Sequence, residues 1–182
     1  MLFRSVVSKR GKYTVRLSGL DDGDHDFSFD LDKEFFLSLE QSELEDGKVH
    51  AGVILEKKAG VLALHFTLRG EVEVQCDRCL ETFPTPVESS QTIFVKLGEN
   101  PGEIEDDVIM IHKDDHEVEV GQLMYEFMLL SLPYRRIHPD NENGQPGCDP
   151  EMIRKLEDHA GSSDEDDETD PRWDALKGII GN

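Results

Sequence analysis

The stretch "GVLALHFTLRGEVEVQCDRCLETFPTPVESSQTIFVKL", residues 60–97, decides the fold. Residues 60–70 and 71–76 alternate apolar and polar side chains, the period-two pattern of strands with one buried face. Residues 80–97 return as further extended chain, interrupted by Pro84 and Pro86. Proline lacks the amide that a central ladder needs, so these two suit an edge or bulged strand. Between the runs, at the tip of the implied hairpin, stands a C-x-x-C formed by Cys76 and Cys79.

Working outward, "KYTVRLSGL" (12–20) reads as a strand with Tyr13, Val15 and Leu17 on one side, "DDGDHD" (21–26) as a turn, and "FSFDL" (27–31) as a second strand. Asp32 is a natural N-cap for a short helix carrying Phe35, Phe36 and Leu39, and "VHAGVILEKK" (49–58) is another strand. Beyond the hairpin, 98–107 reads as a loop, and 107–111 and 116–120 as short strands across an acidic turn. "GQLMYEFMLLSL" (121–132) is apolar enough for a buried helix, ended by Pro133. After a polar loop over 134–150, Asp149 and Pro150 start a helix running to 159. The tail "DPRWDALKGII" (170–180) places Trp173, Leu176, Ile179 and Ile180 on one helical face. The expected fold class is α+β: an antiparallel β-rich body with a buried helix over residues 1–159, an acidic linker over 160–170, and a C-terminal helical segment over 171–182.

Composition narrows the function. The 182 residues carry 40 acidic against 19 basic side chains, a net charge of −21. Nucleic-acid affinity comes mainly from lysine and arginine displacing counterions, so such a chain repels phosphate over most of its surface. Residues 1–20 are the exception, with Arg4, Lys9, Arg10, Lys12 and Arg16 and no acid. The bland reading is an acidic, soluble surface; the sharper one is a basic strip for RNA beside an acidic face for a basic partner. No run approaches the roughly 18 apolar residues of a membrane span, and the start lacks the apolar block of a signal peptide. A cytoplasmic protein is expected.

Familiar catalytic signatures are missing from the sequence. It contains no phosphate-cradling glycine motif, no G-x-S-x-G and no H-E-x-x-H. Two acidic stretches imitate calcium loops and fail. Phe27 and Lys33 replace the glycine and the bidentate glutamate of one, and Gly144 and Gln145 occupy the ligand and glycine positions of the other. His65 reads as a strand residue, and His112 and His116 as solvated.

The cysteine pair admits three readings. A thioredoxin-type pair opens a helix whose N-terminus stabilises the thiolate, but "LETFPTPVE" beyond this pair is β-like. A zinc knuckle directs two thiolates at one tetrahedral ion and needs two further ligands; Cys148 and His138, in the polar loop after the buried helix, are the candidates. Their ten-residue separation is wider than a standard zinc-finger pair. The third reading is two free thiols on a hairpin.

"CDRCLETF" (76–83) on a hairpin resembles the C-x-R-C-L-x-x-F signature of the YceD-type family, the large ribosomal RNA subunit accumulation proteins. The apolar helix closing in Leu132 and Pro133, the loop with a His and a Cys, the acidic tail and the ending "DPRWDALKGI" (170–179) agree in order. The resemblance implies a bacterial or organellar protein needed for normal levels of large-subunit ribosomal RNA, with no catalytic activity and with a small basic ribosomal protein as natural partner. The family's loop after the helix often carries several cysteines, whereas this chain keeps only Cys148, so the implied zinc site is either minimal (Cys76, Cys79, His138, Cys148) or lost.

These observations combine into a non-enzymatic assembly or accumulation factor for the large subunit. Acidic faces and the Trp173, Leu176 and Ile180 surface would contact a basic ribosomal protein, and Arg4 to Arg16 would contact precursor RNA. Zinc is the candidate cofactor, and neither a membrane nor a small-molecule substrate is expected. The alternatives are a metal-dependent ribonuclease acting on ribosomal RNA precursors and a thiol-redox or zinc regulatory protein.

Overall fold

The alternation of residues 60–97 produces two long strands that carry the rest of the fold. The computed structural model describes residues 12–40, 42–58, 60–99, 101–105, 107–140, 144 and 146–159. In chain order the elements are β1 (Thr14–Arg16), β2 (Gly23–Leu31), α1 (Lys33–Ser38), β3 (Gly47–Lys58), β4 (Val61–Gln75), β5 (Thr82–Gly98), β6 (Gly102–Glu105), β7 (Val108–His112), β8 (Glu117–Glu119), α2 (Gly121–Ser131) and α3 (Pro150–His159). Six strands form one sheet in the order β2-β3-β4-β5-β7-β6, and β1 pairs with β8 in a separate ribbon. The fold is α+β, as expected.

β4 and β5 pair without a register shift from Leu62↔Val95 to Gln75↔Thr82. The expected runs 60–70 and 71–76 are therefore one strand. Their alternation sends Leu64, Phe66, Leu68, Val72 and Val74 into the core, with Val87, Ile93 and Val95 beside them. α2 lays Met124, Tyr125, Phe127 and Met128 on that face, and the Phe127 ring meets Phe66 edge-on at 5.1 Å. Asp32 caps α1 by accepting from the amides of Glu34 and Phe35. That helix presents Phe35 to Tyr13, with ring centroids 4.9 Å apart.

The prolines sit where their missing amides cost nothing. The Phe94 amide points away from β4, donating to the Asp107 carbonyl at 2.8 Å. Pro84 and Pro86 share its parity along the strand, so their nitrogens face the same way. β7 reaches only Phe94 to Gly98, and the proline half of β5 is thus an edge.

Four expectations change. β7 runs parallel to β5, so the sheet is mixed rather than wholly antiparallel. The β6–β7 hairpin folds back and inserts its second strand beside β5, an arrangement that face-by-face alternation does not encode. Residues 98–107 are not all loop, because β6 pairs with β7 there. Residues 21–26 are mostly strand rather than turn, because β3 continues far enough to pair Gly23 with Lys57. The strand expected over 12–20 shrinks to β1, whose partner β8 is itself only three residues long.

Thr85 is 6% exposed on the inner face of β5, and its hydroxyl has no hydrogen-bond partner among the described residues. A buried, unpaired hydroxyl costs about 1–3 kcal/mol. Thr85→Val keeps the shape and removes the polar atom, so it is expected to raise the unfolding free energy by about 1 kcal/mol, measured by urea denaturation. A loss of stability would mean that the hydroxyl is satisfied.

Candidate metal centre

β4 and β5 extend past the neighbouring strands, and their connection is the C-x-x-C turn. The turn closes on itself: the Cys76 amide donates to the Glu81 carbonyl at 2.9 Å and the Leu80 amide to the Cys76 carbonyl at 3.0 Å. Gln75 steadies it through its side-chain amide, which donates to the Leu80 carbonyl. Leu80 has φ of +64°, and it is the one described non-glycine residue in left-handed conformation. This backbone folds both cysteine side chains to the same side. The Arg78 amide points at the Cys76 Sγ, 3.4 Å away.

The other two ligand types arrive from the chain after α2. The Asp77 amide donates to the Arg136 carbonyl, and the Arg136 amide donates to the Asp77 carboxylate, both at 2.7 Å. This reciprocal pair fixes residues 134–138 against the turn. The His138 ring then lies on Phe83, with centroids 4.5 Å apart, and directs Nδ1 to within 3.4 Å of the Cys79 Sγ. Cys148 is carried in just before α3. The chain passes so close there that a Cβ on Gly147 would stand 2.4 Å from the Pro139 carbonyl oxygen. Asp149 accepts from the Glu151 amide and starts the helix; Met152 and Ile153, with Ile137 and Phe83, pack around the three sulfurs.

The ligand atoms of Cys76, Cys79, His138 and Cys148 all lie within 4.8 Å of one another. Cys76 and Cys148 are separated by 3.6 Å between sulfurs, too far for a disulfide bond of about 2.05 Å. A tetrahedral ion with Zn–S of about 2.3 Å and Zn–N of about 2.0 Å requires edges of about 3.8 Å between sulfurs and about 3.5 Å between sulfur and nitrogen. The Cys76–Cys148 separation of 3.6 Å and the Cys79–His138 separation of 3.4 Å are close to these edges, and with all four ligand atoms inside 4.8 Å the residues could hold a metal ion. The ten-residue separation of His138 and Cys148 loses its significance because the close approach at Gly147 brings the two together.

The thiols are unequal. Burial acts to raise Cys76, but the amides of Cys79, Arg78 and His138, together with the His138 ring, outweigh it and bring its pKa down to about 6. Cys148 lacks such donors; burial first, and then the neighbouring Cys76 and Cys79, push it up to about 11. A metal ion would thus meet one thiolate ready-made and would have to displace a proton from Cys148. No helix follows Cys79, so the arrangement that lowers a thioredoxin-type thiol is not built here.

The other candidate residues fare differently. Arg4, Lys9 and Arg10 lie outside the described residues, as do Trp173, Leu176, Ile179, Ile180, the acidic linker 160–170 and the segment 171–182. Lys12 and Arg16 are exposed, and each has an acidic neighbour: Lys12 Nζ lies 3.5 Å from Glu34, and Arg16 faces Glu117 across the β1–β8 ribbon. His65 is a strand residue between Glu56 and Thr92, His112 lies 3.5 Å from Asp114, and His116 is exposed. The roles of Phe83, Asp77 and Arg136 in building the centre were not legible; "LPYRRIHP" (132–139), free of acids in an acidic chain, was the available signal.

No described helix is long and apolar enough to cross a membrane. No solved structure matches the chain. The uncharacterized protein YlbN of Bacillus subtilis (strain 168) is 28% identical over 128 residues, covering 68% of this chain and 69% of that one. The family model described as large ribosomal RNA subunit accumulation protein YceD matches residues 64–179, a span that holds the C-x-x-C turn, His138 and Cys148. With more than half of its length matched in this way, the chain belongs to the YceD family of large ribosomal RNA subunit accumulation proteins.

Proposed function

We propose that this chain supports accumulation of large-subunit ribosomal RNA in the cytoplasm by binding rather than catalysis, with zinc as a structural clip. The donor set carries the reading. Three thiolates and one imidazole would fill all four positions of a tetrahedral zinc, leaving none for water or substrate, as in structural sites. Such an ion would tie the β4–β5 tip, the segment after α2 and the start of α3 into one rigid end. Zinc suits the sulfur-rich set better than magnesium, which prefers oxygen ligands.

The net charge of −21 fits the shielding of a basic ribosomal protein, whose own charge would otherwise attract RNA indiscriminately. Trp173, Leu176 and Ile180 are the candidate apolar contacts with such a protein, and Arg4, Lys9, Arg10, Lys12 and Arg16 are candidate contacts with precursor RNA. Deleting the gene is expected to lower large-subunit ribosomal RNA relative to small-subunit RNA. On a density gradient, the protein should travel with large-subunit precursors or with their basic proteins. An unchanged RNA ratio would defeat the reading, and magnesium-dependent cleavage of precursor RNA by the pure protein would replace it with the ribonuclease.

A further inference from the structure

We propose that the face formed by Arg78, Leu80, Tyr134 and Arg135 over the metal centre binds an unpaired RNA strand; this rests on the reading of the chain as a factor for large-subunit ribosomal RNA. The two hydrogen bonds between Asp77 and Arg136 hold residues 134–138 alongside the C-x-x-C turn, so side chains of both segments share one end of the molecule. Tyr134 is fully exposed, at 105% of its reference area, and Leu80 is 59% exposed. Arg78 and Arg135 are also exposed, and among the described residues neither has a carboxylate within ion-pair distance.

Charge selects the occupant. In a chain with 40 acids, residues 127–139 contain none. The turn itself has two. The Asp77 carboxylate is engaged by the Arg136 amide, and Glu81 is exposed at the start of the return strand. Arg136 is partly neutralised by Glu43 at 3.8 Å, which leaves Arg78 and Arg135 as the unpaired cations of the face. Phosphate would pair with both guanidinium groups.

Tyr134 decides between a duplex and a single strand. It follows Pro133 directly, whose ring restricts the backbone, and it offers an aromatic surface that buries nothing within the described structure. Bases stack on such a surface only when their own faces are free, which a continuous duplex does not permit. Leu80 adds an apolar edge at a position where left-handed backbone costs a non-glycine residue about 1–2 kcal/mol. Its side chain, 59% exposed, recovers only part of that cost inside the protein.

The test is fluorescence anisotropy of the zinc-loaded full chain with a short, about 12-nucleotide, single-stranded RNA of mixed sequence and with the same RNA annealed to its complement. The single strand should bind more tightly than the duplex. Tyr134→Ala should weaken it about tenfold, the lower part of the range for losing one stacked base, while Tyr134→Phe keeps the affinity. Arg78→Ala with Arg135→Ala should flatten the slope of log affinity against log salt by about 1.4, from two lost phosphate contacts. Arg135→Ala alone, which leaves the cysteine turn untouched, should flatten it by about half as much. If wild type and variants bind alike, RNA binds elsewhere and this face is not the site. If wild type binds neither RNA yet restores ribosomal RNA levels in a deletion strain, the face is overturned while the accumulation reading stands.

Discussion

Chelating the metal from the purified protein is expected to lower its thermal midpoint by about 10 °C and to release one zinc per chain. A ligand bound only by the folded state, at about a thousand times its Kd, adds about 4 kcal/mol, and 1 kcal/mol moves the midpoint of a chain of this size by about 2–4 °C. The effect should be concentrated at one end of the molecule. The β3–β4–β5 sheet and α2 keep an apolar core that contains none of the three cysteines, whereas Cys76, Cys79 and Cys148 form their own small cluster. α3 has no buried residue, so its attachment depends chiefly on that cluster. Hydrogen exchange after chelation should therefore deprotect residues 146–159 before the sheet. Cys148→Ser should reproduce the loss, with no further drop on adding chelator. Affinity for zinc should fall with decreasing pH because the ligands must be deprotonated, and more steeply below about 6, where Cys76 takes up its proton. A protein isolated without zinc, and indifferent to chelator, would remove the metal reading; a Cys76–Cys148 disulfide in that protein would favour redox regulation.

Much of this arrangement was legible, for reasons tied to particular residues. Period-two alternation depends only on which face is buried, so β3, β4 and β5 could be read directly, and Pro84 and Pro86 marked the open half of β5. Alternation carries no information about which strand lies next. The parallel β5–β7 pair was hidden for that reason, as was the pairing of Val15 with Val118, far away in the chain. At the candidate metal centre, the residue types were sufficient to nominate Cys76, Cys79, His138 and Cys148. Their meeting depends on main-chain features with weak sequence signatures: the left-handed Leu80, the close approach at Gly147 and the reciprocal hydrogen bonds of Asp77 and Arg136. Glycine normally announces a left-handed turn, and here a leucine occupies it.

Gly70→Ala is expected to destabilise the protein by about 3 kcal/mol or more, at the top of the range for overpacking. Gly70 pairs with Val49 of β3 on one side and Val87 of β5 on the other, at the level where the β4–β5 arm begins to project toward the cysteine turn. A Cβ added there would stand 2.1 Å from the Lys48 carbonyl oxygen and 2.7 Å from the Val49 Cα. Both atoms belong to the main chain of a strand locked between β2 and β4, so no side-chain rotation relieves the clash. β3 must move away, and the ladder that holds it must loosen. Gly52→Ala is the control, because it lies in the same β3–β4 pair, opposite Thr67, and its Cβ would find the Thr67 carbonyl oxygen at an ordinary 3.9 Å. That change should be neutral or slightly stabilising, since alanine has less backbone entropy to lose than glycine. Urea unfolding of the two variants separates the effects: equal midpoints would show that β3 and β4 do not approach as closely as described. A large loss for Gly70→Ala with zinc still bound would place the damage in the sheet. A large loss accompanied by zinc release would show that the metal end depends on the register of the arm that carries Cys76 and Cys79.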